Sequence, residues 1–162
     1  MNSFLSNVIK GIDNTNILAD GGNSSEFTGT IDTGSYIMNA VLSGSLYGGV
    51  PNNKITAFAG ESATGKTFFV LGVIKQFLED NKTGGVIYFD TEAAVTKDMM
   101  ASRGIDVSRV SIAEPESIED FRTSAVKMLT NYMEHKDAPP MMMVLDSLGQ
   151  LSSACLLYTS PS

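Results

Sequence analysis

The sequence of 162 residues lies in the size range of one domain; its 43% hydrophobic content suffices for a core, and its 18% charged fraction argues against wholesale disorder. No apolar run approaches the length that spans a bilayer, and 11 basic against 18 acidic residues, a net charge of -7, oppose nonspecific attraction to polyphosphate or to an anionic membrane. With Cys155 as the sole cysteine and His135 as the sole histidine, an internal disulfide and a histidine-cysteine zinc site are both excluded, so any metal must be held by oxygen ligands.

The start, MNSFLSNVIKG, has neither a basic leader nor a long apolar stretch before a small-residue cleavage site. No export signal is readable there, and the cytoplasm is the expected compartment. Phe4, Leu5, Val8, Ile9 and Ile12 recur at helical spacing, which suits either a packed terminal turn or an amphipathic arm that docks on another subunit. From Asp13 to Ser35 the composition is that of a linker or surface loop, with Ile17, Leu18, Phe27 and Ile31 as scattered apolar anchors. Tyr36 to Leu42 is expected to be a short helix closed by Ser43 and Gly44, before a second loop ending in GGVPNN.

An alternating pattern then begins. Ile55 to Ala59 reads as a short apolar strand, followed by a glycine-bearing loop and a helix from Lys66 to Glu79 whose Phe69, Val70, Val73, Ile74 and Phe77 form its buried face. Val86 to Phe89 is the second expected strand, Lys97 to Ser102 a short helix stopped by Gly104, and Arg109 to Ala113 the third strand. Ser117 and Asp120 resemble a capping box, after which Ile118, Phe121, Ala125, Met128, Leu129 and Tyr132 repeat at helical spacing. Pro139 and Pro140 break that helix, and Met141 to Leu145 is an apolar strand ending at Asp146. Strands alternating with helices imply an α/β fold with a mainly parallel sheet and right-handed crossovers.

Gly60, Glu61, Ser62, Ala63, Thr64, Gly65, Lys66 and Thr67 complete the pattern G-x-x-x-x-G-K-T between an expected strand and a helix, the context in which it becomes a phosphate-binding loop. Gly60 and Gly65 let the backbone curl so that successive N–H groups face phosphate oxygens at the positive end of a helix. Lys66 supplies a mobile positive charge to the outer phosphates, and the Thr67 hydroxyl is suited to ligate magnesium. ATP with magnesium is therefore the expected ligand. A magnesium site needs an outer carboxylate on a neighbouring strand, and Asp146 at the end of MMMVLD supplies one. Glu92, in VIYFDTEAA, is the candidate to orient or deprotonate an attacking water; Asp90 lies two residues earlier, and spacing leaves open which of the two points at the site. His135 fits a solvent-facing helix end, and Met141 to Met143 fit the core.

The segments TGSYIMNAVLSGSLYGGVPNNKITAFAGESATGKT, GVIYFDTEAAVTKDMMASRGIDVSRV, PESIEDF and MMMVLDSLGQLSS, in that order, resemble the RecA-type recombinases, and most closely the UvsX-like recombinases of bacteriophages. The resemblance runs from about Phe27 to Ser153. It implies a RecA-like P-loop NTPase core, preceded by an N-terminal helical arm and incomplete at its far end. The implied boundaries are residues 1–30 for an oligomerisation arm and linker, 31–153 for the N-terminal part of the ATPase core, and 154–162 for a non-native tail. It also implies that Lys66 and Thr67 hold triphosphate and magnesium, Asp146 completes the metal site, and Glu92 activates the hydrolytic water. The whole protein would then be a DNA-dependent ATPase forming homo-oligomeric filaments on single-stranded DNA, through the N-terminal arm, to drive homologous recombination, repair and strand exchange.

Two features depart from that pattern. Met99 stands where many members place an aromatic residue to stack on adenine, and ACLLYTSPS replaces the polar continuation expected after LSS, as a truncated or misread frame would. The family's DNA-binding loops are expected beyond Ser153, so no DNA-binding residue is assigned in this chain. A RecA-fold helicase or clock-type ATPase shares the loop and the strand-end Asp, and a nucleotide-gated assembly module without significant turnover is the rival from another class. A small-molecule phosphotransferase fits less well, because nothing resembles a lid or an acceptor pocket.

Overall fold

A computed structural model describes residues 29–155; the expected N-terminal arm and most of the expected tail lie outside the described residues. A small antiparallel pair comes first, β1 (Thr30–Ile31) with β2 (Val50–Pro51), spanned by helix α1 (Tyr36–Ser43). Ser35 caps α1 by accepting from the Met38 N–H, and Gly44 closes it in the left-handed region. The fully buried Asn39 ties this lobe together. Its Oδ1 accepts from the Thr33 N–H and hydroxyl, and its Nδ2 donates to Asp32 Oδ1 and the Leu46 carbonyl.

The main unit is a parallel three-stranded sheet in the order β4 (Val110–Ala113), β3 (Gly85–Asp90), β5 (Met141–Asp146). Helices α2 (Lys66–Asp80), α3 (Lys97–Ser102) and α4 (Ile118–Met133) flank it. This is the expected α/β architecture with a parallel sheet. Leu71, Ile74, Phe77 and Leu78 of α2 pack with Val86 and Tyr88 of β3 and with Val95, Met100 and Ile105 around α3. Each such burial is worth roughly 1.5–3 kcal/mol. Gly72 in the middle of α2 costs only about 1 kcal/mol, so the buried face holds the helix in place.

Because side chains alternate along a strand, Phe89 turns to the opposite face of the sheet from Tyr88, where it meets Phe121 of α4 edge-to-face at 4.9 Å. Ser117 caps α4, as its position suggests, by accepting from the Asp120 N–H, but the Asp120 carboxylate accepts from the Glu116 N–H rather than that of Ser117. The α4 stripe is less covered than its periodicity predicts: no residue of α4 is buried, and Ile118 and Leu129 are exposed. Hydrophobic spacing fixes which residues share a face but not whether another element covers them.

Ile55 to Ala59 corrects the reading more strongly. The segment is no strand, and Ile55 is fully exposed. An apolar run becomes a strand only where a neighbour offers a ladder of backbone partners. In the described residues β5 pairs with β3 alone, and nothing extends the sheet to this segment. No described helix is long and apolar enough to cross a membrane.

Candidate functional site at the carboxyl ends of the strands

The loop from Gly60 to Thr67 opens α2, and its shape follows from its residues. Gly65 occupies the helix-start position at φ 89°, a conformation natural to glycine and strained for side-chain-bearing residues. A Cβ at Gly60 would sit 3.2 Å from the Thr64 hydroxyl oxygen, which donates to the Glu61 carbonyl at 2.8 Å. Ala63 takes the left-handed region at φ 60°. Such non-glycine residues concentrate at ligand-binding turns, where the surroundings hold the strain. Gly60 to Thr64 are exposed, and the Lys66 ammonium donates to the carbonyls of Gly60 at 3.0 Å and Glu61 at 2.7 Å.

Across from the loop, β3 and β5 end side by side, with Asp90 in register with Asp146. Asp146 Oδ2 accepts from the Thr67 hydroxyl at 2.6 Å and from the Tyr88 phenol at 2.7 Å. Thr67 and Asp146, assigned from separate motifs, are thus in direct contact. Burial and the adjoining carboxylate push the Tyr88 phenol far above its ordinary pKa, so it remains a donor.

The two acidic residues after β3 divide. Asp90 is buried, and its oxygens accept from the backbone N–H groups of Glu92 and Val95, making it the organiser of the turn. Glu92 is exposed, and its Oε1 accepts from the Ser147 hydroxyl at 3.2 Å. Thr91 joins the two strand ends: its N–H donates to the Asp146 carbonyl, its hydroxyl donates to the Ser147 carbonyl, and the Ser147 N–H donates back to that hydroxyl at 2.8 Å. Lys66, Thr67, Asp146 and Glu92 therefore gather at one end of the sheet, where ligands bind in open α/β folds. A surface hollow among the described residues lies elsewhere, lined by Gly85, Tyr132, His135, Pro139 and Met141 at the opposite strand ends.

Tyr88, Thr91 and Ser147 are the site residues that sequence reasoning missed. Alternation in GVIYFD does put Tyr88 on the same face as Asp90, but only the pairing of β3 with β5 sets its hydroxyl beside Asp146.

Among the described residues no three His, Cys, Asp or Glu side chains cluster as a metal cage. Magnesium does not call for one: it binds through one or two carboxylates, retained waters and the phosphates of its substrate. One carboxylate beside one hydroxyl at the end of a phosphate-type loop fits that habit.

A family model described as the RecA N-terminal domain matches residues 1–154. The chain belongs to the RecA family. It is 28% identical over 117 residues to the "Recombination and repair protein" of Enterobacteria phage T4, covering 72% of this chain and 29% of that protein. Against "Protein RecA" of Campylobacter hominis it is 28% identical over 153 residues, 94% of this chain and 40% of the relative. Against "Protein RecA" of Aquifex aeolicus the identity is 35% over 88 residues, 54% of this chain and 24% of the relative. This RecA-family chain thus spans about a third of the length of the curated relatives it matches, and the likeness to RecA-type recombinases, the phage protein included, agrees with the motifs.

Proposed function

We propose that this chain is the nucleotide-binding part of an ATP-dependent DNA recombination and repair protein. The observation that carries the reading is the 2.6 Å contact between Thr67 on the loop and Asp146 on β5, residues 79 apart in sequence. A glycine-rich turn without a ligand has no need of a strand-end carboxylate beside its helix start. Membership of the RecA family and the names of the phage and bacterial relatives support the recombination role.

In this reading the backbone N–H groups of Gly60 to Thr67 cradle the phosphates of ATP, helped by the positive end of α2. The Lys66 ammonium, already turned over the loop, balances the outer phosphate charge. Thr67 and Asp146 would hold magnesium, which when bound neutralises charge on the phosphate oxygens. Glu92 accepts a proton from, or orients, the attacking water, with Ser147 fixing one of its oxygens. Asp90 is spent on the turn, so the role falls to Glu92. Filament formation on single-stranded DNA and strand exchange belong to the whole protein, with residues outside this chain gripping the DNA.

The test is ATP binding in magnesium by isothermal calorimetry. Lys66→Ala is expected to weaken binding at least about a hundredfold, since charge-assisted contacts to phosphate are the strong ones in such a site. Unchanged affinity in that variant rejects the loop as the nucleotide site.

A further inference from the structure

β3 and β5 run side by side as far as the pair Asp90 and Asp146, and the Thr91 N–H still donates to the Asp146 carbonyl at 2.9 Å. Both strands end there, and one step further a side chain takes over from the backbone ladder. The Thr91 hydroxyl donates to the Ser147 carbonyl at 2.9 Å and accepts from the Ser147 N–H at 2.8 Å. A hydroxyl is donor and acceptor at once, so it satisfies both backbone groups of a single residue, which a methyl of similar size cannot do. Threonine just past a strand usually bonds its own turn. This one bonds a residue 56 positions away.

Ser147 stands between two residues of the candidate site. It follows Asp146 directly in the chain, and its hydroxyl donates to Glu92 Oε1 at 3.2 Å. Holding both backbone groups of Ser147 therefore steadies the backbone from which the Asp146 carboxylate projects, and also the point from which the Ser147 hydroxyl reaches Glu92. Glu92 is held from its other side as well, where its N–H donates to Asp90 Oδ1 at 3.1 Å. The Asp146 carboxylate keeps its own partners, Thr67 and Tyr88, so the hydroxyl of Thr91 acts on the frame and not on the carboxylate itself.

We propose that Thr91 is a positioning residue for the magnesium site: its hydroxyl fixes the strand end that carries Asp146 and, through Ser147, the Glu92 carboxylate. The role rests on the nucleotide reading of the loop and adds to it a side chain that touches neither phosphate nor metal. Groups that hold a metal ligand in place carry about ten- to a hundredfold of metal affinity or activity. Removing the Thr91 hydroxyl therefore weakens nucleotide binding only where magnesium takes part in it.

The experiment is ATP binding by calorimetry, in magnesium and in EDTA, on the unaltered chain, Thr91→Val and Thr91→Ser. Thr91→Val keeps the shape and removes the hydroxyl; ATP affinity in magnesium should fall about tenfold and affinity in EDTA stay unchanged. Thr91→Ser restores the hydroxyl and should return the magnesium value to within about twofold of the unaltered chain. Carbon-detected NMR of the Glu92 carboxyl should show its signal displaced in Thr91→Val and restored in Thr91→Ser. Equal losses in the two buffers, no loss in Thr91→Val, no recovery in Thr91→Ser, or an unmoved Glu92 signal overturns the positioning role and leaves the loop's role intact. Hydrogen exchange on the unaltered chain without nucleotide needs no variant to fold. There the Ser147 amide should exchange about a hundredfold more slowly than in an unstructured peptide, and exchange at the peptide rate overturns the bond on which the role depends. Failure of the unaltered chain to bind ATP in magnesium removes the nucleotide reading and the role of Thr91 with it.

Discussion

Tyr88 in the middle of β3 and Asp146 at the end of β5 are joined by a 2.7 Å hydrogen bond between phenol and carboxylate, diagonal to the strand register. The buried ring packs against α2 while its hydroxyl supports a residue of the candidate site. Core and site are therefore one structure at this point. Tyr88→Phe keeps the packing and removes the donor. It should lower stability by about 1 kcal/mol, the usual net worth of one such bond, with Asp146 still accepting from Thr67. Urea unfolding reads this; an unchanged midpoint would mean the bond contributes nothing.

Thr67→Ala removes the hydroxyl beside Asp146 but leaves Lys66 and the loop backbone. ATP affinity in magnesium should fall by about tenfold or more, whereas affinity in EDTA should change little, because a magnesium ligand, the role proposed for Thr67, matters only with the metal present. Equal losses in the two buffers would indicate damage to the loop rather than to the metal site.

Arg109 secures the far end of α2. Its guanidinium donates to the carbonyls of Leu78, Asn81, Lys82 and Gly84, around the point where that helix ends. These charge-assisted bonds satisfy carbonyls and oppose the negative end of the helix dipole. Arg109→Met retains the aliphatic stem and should cost about 2–3 kcal/mol of unfolding free energy. A loss below about 0.5 kcal/mol, the range of ordinary surface substitutions, would contradict this anchoring role.

Asp106 accepts from the Ser108 hydroxyl at 2.6 Å and from Arg109 Nε at 2.8 Å. The hydrogen bond from the Ser108 hydroxyl first, and that from the Arg109 guanidinium second, hold its carboxyl below the ordinary aspartate value. A depressed folded-state pKa contributes stability that is present above the unfolded-state value and is lost as the pH falls through the folded one. Carbon-detected NMR titration should place the Asp106 midpoint below that of an aspartate in a short peptide, and Ser108→Ala should raise it. A midpoint at the peptide value would show that these bonds do not persist in solution.

The expected and observed elements agree where local chemistry decides them. Ser117 caps α4 where its position in the sequence suggests, and β3 and β5 occur where β-branched, aromatic or methionine runs meet turn residues. The segment from Ile55 to Ala59 and the outer stripe of α4 disagree for one reason: apolar spacing says what a segment is able to bury, and neighbours decide whether it does.

The same division holds at the site. Sequence alone determined the loop from Gly60 to Thr67, because glycine, lysine and threonine at those spacings answer to backbone geometry and charge that need no distant partner. It also marked Asp146 and Glu92 as strand-end carboxylates, but left Asp90 and Glu92 undivided. Only the tertiary structure decided that Asp90 is consumed by its own turn, that Thr67 and Tyr88 share Asp146, and that Arg103 lies over Phe68. Each of those is a contact between segments far apart in the chain or a choice between side chains on one face, fixed by strand register and helix packing rather than by spacing.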